Sequence, residues 1–333
     1  MTAEVALKPK DYASAQDVRW CPGCGNYSVI KAVQKTLAEA GCNPENTVFV
    51  SGIGCSSRFP YYMETYGFHT IHGRAAAVAT GVKISKPELD VWVVSGDGDS
   101  LAIGGNHLLH LLRRNVDVTY LLLNNEIYGL TKGQASPTSR RGTLSPTSPH
   151  GTLDQPVNPI EFAIGAHGRF IARCVDALQN LLSETFARAH AFHGTSFVEI
   201  LQNCLVFNDG VFSDQEDKKK IDDTLLWLHH GEPMLYGADK SKGILFNPKT
   251  YALEPVTIGL DGVTLDDIVV HDETSHGLAM MLSALEAPLP VGVIYAAPEA
   301  TFIGRQPIPQ GTMAKSAARL AGAMHAGNTW RVE

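Results

Sequence analysis

Long apolar runs are missing from this 333-residue chain. None of its apolar runs approaches the roughly 20 residues that a membrane-spanning helix needs. The opening residues, MTAEVALKPKDY, lack the apolar core of a secretory signal peptide. We therefore expect a cytoplasmic protein without a membrane segment.

Basic residues and cysteines are also scarce. The chain has 27 Lys and Arg against 34 Asp and Glu, which gives a net charge of −7. Non-specific nucleic-acid binding needs a basic face, so we expect no nucleic-acid partner. Six cysteines are too few for a disulfide scaffold in a chain of this length. They are candidates for metal ligands or for inert core positions.

The remaining composition is that of an ordinary α/β protein. Hydrophobic residues make up 44% of the chain and charged residues 18%. The length allows a large buried core, in one big domain or two. The sequence contains no internal repeat and no low-complexity tract.

One stretch combines two apolar runs with a helical pattern between them. Val91–Val94 is apolar, a Gly-Asp-Gly triplet follows at 96–98, and an amphipathic stretch ends at 113–114. A second apolar run, Val116–Leu123, ends at a pair of asparagines, 124–125. This order predicts a βαβ unit, whose right-handed crossover implies a buried parallel sheet.

Two oxygen-bearing side chains follow the two predicted strands. Asp97 and Asn125 would both lie at the carboxyl ends of parallel strands, where ligands of such sheets bind. Carboxylate and amide oxygens suit Mg²⁺, an ion that shares its oxygen shell with substrate phosphates. The flanking glycines would let backbone N–H groups approach a diphosphate.

The rest of the chain predicts further alternating elements. Helical patterns cover Ser28–Ala40, His72–Lys83, Pro159–Ala166 and Leu178–Ala191, and strand patterns cover Thr47–Val50, Phe170–Val175 and Ser196–Leu201. The tail mixes strand patterns at Thr257–Leu260 and Val291–Ala296 with a helix near Leu278–Leu285. The Ser/Pro/Thr-rich segment Ala135–Pro149 is too long for an ordinary connection, and such loops are usually functional or mobile.

Four of the cysteines lie where ligands would lie. Cys21 and Cys24 form a CPGC knuckle, which by itself fits zinc, a redox dithiol or half of an iron–sulfur site. Cys55 lies in a Gly/Ser loop after a predicted strand, and Cys204 follows another strand. Four thiolates from three loops on one sheet edge fit a [4Fe–4S] cluster. Cys42 and Cys174 are expected to be buried, inert thiols, and we assign them no role; these two complete the set of six.

The central stretch resembles a known cofactor motif. Gly-Asp-Gly followed by Asn-Asn is similar to the thiamine diphosphate motif. With YGLTKGQ at 128–134 attached, the chain resembles the β subunits of 2-oxoacid:ferredoxin oxidoreductases, most closely those that act on 2-oxoglutarate. The resemblance covers about Trp20–Gly231. A plain Rossmann-like crossover is the alternative, because a fold alone does not name a chemistry.

The resemblance implies a fold and a division of the chain. The expected fold is α/β, with a parallel-sheet thiamine diphosphate-binding domain of the PP type, helices on both faces and a C-terminal extension. Residues 1–19 would form an N-terminal arm, 20–235 the domain that binds thiamine diphosphate and [4Fe–4S], and 236–333 an extension of uncertain role.

The resemblance also implies the roles of individual residues. Asp97, Asn125 and the main-chain carbonyl of Ile127 would hold Mg²⁺, and Cys21, Cys24, Cys55 and Cys204 would hold the cluster. The thiamine diphosphate pocket would comprise Gly54, Cys55, Ser56, His72, Gly73, Asp97, Gly98, Asp99, Asn125, Ile127, Tyr128, Gly129, Leu130 and Thr131. His72 could instead be a core histidine, and Asp99 could also be a helix N-cap.

Two cations are candidates for binding a second substrate carboxylate. Lys132 follows YGLT, and Arg58 follows GCSS. A lysine near a cationic thiazolium ring is costly unless it meets an anion, and a guanidinium fork matches a carboxylate. This favours 2-oxoglutarate as substrate. The alternative is that both residues are solvated surface charges.

The resemblance implies reversible, coenzyme A-dependent oxidative decarboxylation of 2-oxoglutarate to succinyl-CoA and CO₂, with electrons passing through [4Fe–4S] to ferredoxin. The family's catalytic glutamate lies on a separate pyrimidine-binding domain, and this chain has no evident second copy of such a domain. Glu64 is the only acid near a glycine loop, and it lies in an aromatic stretch that looks structural. We therefore expect an α subunit that supplies the glutamate, in an (αβ)₂ assembly.

Three alternatives stay open. The same chemistry could act on pyruvate or on branched-chain or aryl 2-oxoacids. A non-oxidative thiamine diphosphate decarboxylase would keep the Gly-Asp-Gly to Asn-Asn unit but would not need the four cysteines. A subunit-scaffolding module with a structural zinc site would need no cofactor.

Overall fold

In the computed structural model, which describes residues 7–305, 321–322 and 324–327, strands and helices alternate over the first two hundred residues. The described strands are β1 Thr47–Ser51, β2 Tyr66–His69, β3 Asp90–Gly96, β4 Val118–Asn124, β5 Ile127–Tyr128, β6 Gln134–Ala135, β7 Phe170–Val175, β8 Thr195–Leu201, β9 Leu225–Trp227, β10 Leu235–Tyr236, β11 Lys242–Asn247, β12 Ala252–Thr257 and β13 Leu289–Ala296. The described α-helices are α1 Asn26–Glu39, α2 Phe59–Tyr62, α3 Ala75–Ser85, α4 Asp97–Leu101, α5 Gly105–Arg114, α6 Pro159–Gly165, α7 Gln179–Ala191, α8 Ser213–Glu216, α9 Ile221–Thr224 and α10 His276–Ser283.

A mostly parallel sheet lies at the centre. Over the described residues it has eight strands in the order β2-β1-β3-β4-β8-β7-β13-β9. Neighbouring strands from β2 to β7 are all parallel. β13 is antiparallel to β7 and parallel to β9. Seven consecutive residues of β4 are buried, as expected of a strand covered on both faces.

Helices cover both faces of this sheet, as predicted. In β3, Val91 and Val93 face a core that contains residues of α3, α5, α6 and α10. The alternate residues, Trp92 and Val94, face a second core with residues of α1 and α7. This alternation follows from the two-residue period of a strand. The expected α/β fold is therefore confirmed.

The crossover from β3 to β4 positions the candidate site. The Gly-Asp-Gly triplet does not form an open loop, because a short helix, α4, begins at Asp97 directly after β3. The second helix, α5, buries Leu108, Leu111 and Leu112 and ends in two arginines, which suit the negative end of the helix dipole. Asn115 caps α5 in a left-handed conformation, at φ 52°.

The segment predicted as a C-terminal extension contributes to the central sheet through β13. It also supplies β11 and β12, which form a three-stranded antiparallel sheet with β10. The predicted strand at Thr257–Leu260 is wrong, since β12 ends at Thr257 and the chain turns there. Residues 306–320, 323 and 328–333 of the predicted extension lie outside the described residues.

The predicted N-terminal arm packs on the body of the protein where it is described. Tyr12 is fully buried, and its hydroxyl donates to the carbonyl oxygens of Cys42 at 2.5 Å and Leu37 at 3.2 Å. Residues 1–6 lie outside the described residues. Among the helices that the structure describes, none has the length and apolarity to cross a membrane.

Candidate cofactor site

A cavity of about 470 Å³ lies at the carboxyl ends of β1, β3 and β4. Almost all of the predicted cofactor residues line it: Gly54, Cys55, Ser56, His72, Asp97, Gly98, Asp99, Asn125, Ile127, Tyr128, Gly129, Leu130 and Thr131. Ile53, Gly96 and Gln134 also line it and were not predicted. Gly73 is not part of the lining, but its N–H donates to Asp99 at the cavity wall. The structure thus brings the sequence-predicted residues together.

Asp97 is buried at the start of α4 and has no cationic partner among the described residues. Its Oδ2 accepts hydrogen bonds from Ser136 Oγ at 2.5 Å and Thr138 Oγ1 at 2.7 Å. Burial raises the pKa of this carboxyl group, although the two hydroxyls oppose the shift. A buried carboxylate without a cation is unfavourable, so this position fits a metal cation such as Mg²⁺.

Asn125 lines the same cavity and is oriented by Gln202. The Asn125 Nδ2 donates to Gln202 Oε1 at 3.1 Å, and its Oδ1 accepts from the Ile127 N–H at 3.3 Å. The Ile127 carbonyl oxygen accepts from the Gly129 N–H at 3.1 Å. Because the amide N of Asn125 donates to Gln202, its amide oxygen faces Ile127, whose main-chain carbonyl is the third predicted magnesium ligand.

Asp99 connects three segments of the cavity wall. Its Oδ1 accepts from the backbone N–H of Ile53 at 3.0 Å and of Gly73 at 2.7 Å, and it lies 2.9 Å from His72 Nδ1. Its Oδ2 accepts from Ser95 Oγ at 2.5 Å. Asp99 is inside α4 and is not its N-cap, which is Gly96. Its carboxylate therefore fixes the shape of the cavity and leaves His72 at the lining.

Gly98, the last residue of the Gly-Asp-Gly triplet, is restricted to glycine by its close packing. A Cβ at Gly98 would lie 2.2 Å from the ring of Tyr128, and the Tyr128 hydroxyl donates to the Gly98 carbonyl at 3.1 Å. Gly52 is restricted in the same way, because a Cβ there would lie 1.9 Å from Asp99 Oδ2. Glycine at these positions lets the walls of the cavity approach each other closely.

A second layer of charge supports the end of β4. Asn124 Nδ2 donates to Glu199 Oε1 at 2.8 Å, and Glu199 pairs with the buried Arg173 at 2.7 Å. Glu126 follows in a left-handed conformation, at φ 55°, and pairs with Arg140 at 3.0 Å. Burial, only partly offset by Arg140, raises the pKa of Glu126 to about 7. The buried Arg173–Glu199 pair holds the strand end in one arrangement.

The four predicted cluster cysteines lie beside this cavity. Cys55 lines it, and a Cβ at Gly129 would lie 3.5 Å from Cys204 Sγ and 3.9 Å from Cys55 Sγ. Burial and the neighbouring thiols Cys55, Cys204 and Cys21 raise the pKa of Cys24 to about 11. Cys24 Sγ also accepts a hydrogen bond from Gln202 Nε2 at 3.3 Å. Four neighbouring thiols of this kind need a cation before they can all ionise.

The spacing of these thiols limits what they can bind. Within the described chain, no three of the four sulfur atoms all lie within 4.8 Å of one another. Zinc bound to four cysteines, with Zn–S bonds of about 2.3 Å, places its sulfurs roughly 3.8 Å apart. As they stand, the thiols are therefore too widely spaced for a single zinc ion, whereas an iron–sulfur cluster holds its cysteines further apart.

The two predicted substrate cations are placed differently. Arg58 lines a side cavity of about 240 Å³ that shares Ile53, Gly54 and Leu130 with the cofactor cavity. Its Nε donates to the Tyr62 hydroxyl at 2.8 Å, and its guanidinium lies 5.8 Å from the ring centroids of Tyr61 and Tyr62. Lys132 is exposed and lines neither cavity.

Besides the three unpredicted lining residues, three residues that support the predicted ligands were missed from the sequence. Ser136 and Thr138 belong to the Ser/Pro/Thr-rich segment, which was expected only to be functional or mobile. Gln202 was not predicted as a site residue either, yet it contacts both Asn125 and Cys24. Only their positions in the sequence could have indicated them. Ser136 and Thr138 closely follow the motif at 128–134, and Gln202 directly follows the strand β8.

Comparisons with known proteins agree with this geometry. Residues 52–200 match the family described as thiamine pyrophosphate enzyme, C-terminal TPP binding domain. The chain is 49% identical over 271 residues to 2-oxoglutarate oxidoreductase subunit KorB of Mycobacterium tuberculosis, covering 81% of this chain and 71% of that protein. It is 48% identical to a 2-oxoacid:ferredoxin oxidoreductase β subunit of Aeropyrum pernix, over 57% of this chain and 60% of that one.

A solved structure is also similar over nearly the whole chain. It is a 2-oxoglutarate:ferredoxin oxidoreductase from Magnetococcus marinus, with 2-oxoglutarate, coenzyme A and succinyl-CoA bound. The TM-score is 0.73 at 31% sequence identity, and the match covers 98% of this chain and 94% of that one.

Proposed function

The chain belongs to the β subunits of the 2-oxoacid:ferredoxin oxidoreductases, and on that premise we propose that it is the cofactor-binding subunit of a 2-oxoglutarate:ferredoxin oxidoreductase. The reaction is the reversible, coenzyme A-dependent oxidative decarboxylation of 2-oxoglutarate to succinyl-CoA and CO₂. The observation that supports it most is the cavity in which Asp97, Asn125 and Cys55 meet at one edge of the sheet.

The cavity residues divide into those that bind the diphosphate end and those that shape the rest. Asp97, the Asn125 amide oxygen and the Ile127 carbonyl are the proposed Mg²⁺ ligands, and Ser136 and Thr138 hold Asp97 in place. When bound, thiamine diphosphate supplies a nucleophilic carbon and an electron sink for decarboxylation. His72 is fixed by Asp99 and lines the same cavity.

We assign the electron-transfer role to Cys21, Cys24, Cys55 and Cys204 as ligands of a [4Fe–4S] cluster. The support is their position next to the cavity and their spacing, which is too wide for a single zinc ion. Gly129 lines the cavity and lies close to the sulfurs of Cys55 and Cys204, so a cluster held by these cysteines would be near a cofactor in the cavity. Ferredoxin would be the acceptor.

For the substrate, Arg58 is the stronger of the two candidate cations. It lines a side cavity that shares three lining residues with the cofactor cavity, and the distal carboxylate of 2-oxoglutarate would meet its guanidinium there. Pyruvate has no second carboxylate and would leave this cation unused. Lys132 remains a prediction as a second contact, from a position outside both cavity linings.

An α subunit completes the site in this proposal. No glutamate lines the cavity in the described part of the chain, and the carboxylates that do, Asp97 and Asp99, are engaged by neighbouring side chains. Apolar side chains next to Cys204 are exposed, namely Leu205, Val206 and Phe207 at 42%, 56% and 42%. A partner that covers them could also present the missing glutamate, in the expected (αβ)₂ assembly.

The decisive experiment is anaerobic purification of this chain with and without its co-expressed α subunit. The complex should contain iron, acid-labile sulfide and thiamine diphosphate, and should reduce a viologen with 2-oxoglutarate and coenzyme A. The chain alone should be inactive. Product formation without any electron acceptor would instead indicate a non-oxidative decarboxylase. Zinc with four sulfur neighbours and no iron would indicate a structural zinc site at the four cysteines.

A further inference from the structure

A second group of metal-ligating side chains lies far from the cofactor cavity. Cys42, Asp90 and His190 each offer one ligand atom, and these three atoms all lie within 4.8 Å of one another. Cys42 follows α1, Asp90 begins β3, and His190 is in the last turn of α7. The cofactor site uses none of these residues.

The group lies at the opposite end of the sheet from the cofactor. Asp90 is the first residue of the seven-residue strand β3, and Asp97 directly follows the last. At the rise of an extended strand, this separates them by about 20 Å. Cys42 was expected to be an inert buried thiol, but it is only partly buried and lies beside a histidine and a carboxylate.

The distances suit a single ion. His190 Nε2 lies 3.0 Å from Asp90 Oδ2 and 3.6 Å from Cys42 Sγ. Ligand atoms about 2.0–2.3 Å from a tetrahedral zinc ion lie roughly 3.3–3.8 Å apart, so only small movements would be needed. In a catalytic Cys-His-Asp arrangement, the carboxylate and the nucleophile contact different ring nitrogens. Here both converge on Nε2.

The ligands have the supporting contacts that metal sites show. Trp92 Nε1 donates to Asp90 Oδ2 at 3.0 Å, and the Trp92 ring stacks on the His190 ring with centroids 5.6 Å apart. The Tyr12 hydroxyl donates to the Cys42 carbonyl at 2.5 Å and so fixes that turn. Such outer contacts orient metal ligands. The side chains of His190 and Asp90 are 23% and 25% exposed, which leaves access for a water as fourth ligand.

We propose that Cys42, Asp90 and His190 bind a Zn²⁺ ion that joins α1, β3 and α7. A thiolate and an imidazole favour zinc over magnesium or calcium, and the charges of a thiolate and a carboxylate balance Zn²⁺. The ion takes no part in the cofactor chemistry, because its site lies at the end of the sheet opposite the cofactor cavity. The proposal does not depend on the cofactor assignment.

The experiment measures zinc on the anaerobic αβ complex after chelator dialysis and addition of zinc. Zinc K-edge absorption, which the cluster iron does not disturb, should show one sulfur and two or three nitrogen or oxygen neighbours. Cys42→Ser and His190→Gln should each lower bound zinc at least tenfold and leave iron content unchanged. His193→Gln, an exposed histidine two residues beyond α7, is the matched control and should keep its zinc.

A second measurement needs no variant. Zinc should slow alkylation of Cys42, followed by mass spectrometry of the wild-type complex, by at least tenfold. The proposal is overturned if wild type binds no zinc, if zinc leaves the alkylation rate of Cys42 unchanged, or if the bound zinc has four sulfur neighbours, which would place it at the cluster cysteines. A wild-type complex that binds zinc at Cys42 but contains no iron would contradict the cofactor assignment and would leave the zinc proposal standing.

Discussion

The two ends of β3 carry two groups of potential metal ligands that differ in size. At the carboxyl end, no three of the four thiols beside the cofactor cavity have sulfur atoms within 4.8 Å of one another. At the amino end, the ligand atoms of Cys42, Asp90 and His190 all lie within 4.8 Å of one another. Both statements concern the part of the chain that the structure describes. The difference shows that the spacing of the ligands indicates the size of the metal group they can bind, because a single ion holds its ligands closer together than a cluster does.

The two ends also differ in their sequence signal. At the carboxyl end, the residues belong to compact motifs, such as the CPGC knuckle and Gly-Asp-Gly. At the amino end, His190 is 148 residues from Cys42 and 100 from Asp90. No local pattern connects them, and only the packing of α1, β3 and α7 brings them together. The following predictions test this contrast, beginning with the largest effect.

Replacing the proposed magnesium ligand should have the largest effect. Asp97→Asn keeps an oxygen for Ser136 and Thr138 but removes the charge that binds the cation. We expect at least about a thousandfold loss of activity, equivalent to about 4 kcal/mol, with thiamine diphosphate lost on gel filtration. Asp154→Asn, an exposed acid, is the control. Retained cofactor in Asp97→Asn would contradict the assignment.

Exchanging one thiol at each end should separate the two metals. Cys204→Ser should lose most of its iron and about a hundredfold of viologen reduction, because the cluster loses one of four ligands. It should keep its zinc. Cys42→Ser should show the reverse, with iron retained and zinc lost. Elemental analysis of both complexes checks this, and a parallel loss of both metals in either variant would show that the sites are not separate.

More of the site at the carboxyl end of the sheet can be predicted from the sequence than of the site at the amino end, and the reason is physical. Asp97 and Asn125 follow strands that are apolar throughout, so their position at one sheet edge follows from the parallel topology. Ser136 and Thr138 were missed because hydroxyl residues in a loop follow no sequence periodicity that would predict where their side chains lie. The strand β13 was predicted, but its insertion beside β7 was not, since it joins the sheet through a long connection.

A comparison within the carboxyl end concerns substrate choice. Arg58→Gln should lower kcat/KM for 2-oxoglutarate about 10- to 100-fold, the range expected for a lost hydrogen bond to a charged group, and change pyruvate turnover little. Lys132→Gln should have a smaller effect, because Lys132 is exposed outside both cavities. Arg141→Gln, also exposed, is the control. An unchanged preference in Arg58→Gln would exclude Arg58 as the carboxylate contact.

Gln202 connects the two cofactor assignments at this end. Its Oε1 accepts from Asn125 and its Nε2 donates to Cys24 Sγ. Gln202→Leu should weaken thiamine diphosphate binding about tenfold by freeing Asn125, and should lower the reduction potential of the cluster, since a hydrogen bond to a ligand sulfur is lost. Dye displacement and a redox titration followed by EPR measure the two effects. Gln155→Leu, on the surface, should change neither.

The last expected effect is on stability and not on activity, and it concerns Asp176 at the carboxyl end of β7. Burial, followed by repulsion from Glu216, raises the pKa of Asp176 from 3.8 to about 7. The folded protein therefore holds this proton more tightly than the unfolded chain, and stability falls as pH rises from about 4 to 7. Asp176→Asn removes this titration and should flatten the fall by about 2 kcal/mol, or a few degrees in Tm, between pH 5 and 7. Thermal unfolding of the complex at both pH values, with Asp154→Asn as control, measures it, and an unchanged slope in Asp176→Asn would mean that Asp176 is ionised in the folded state.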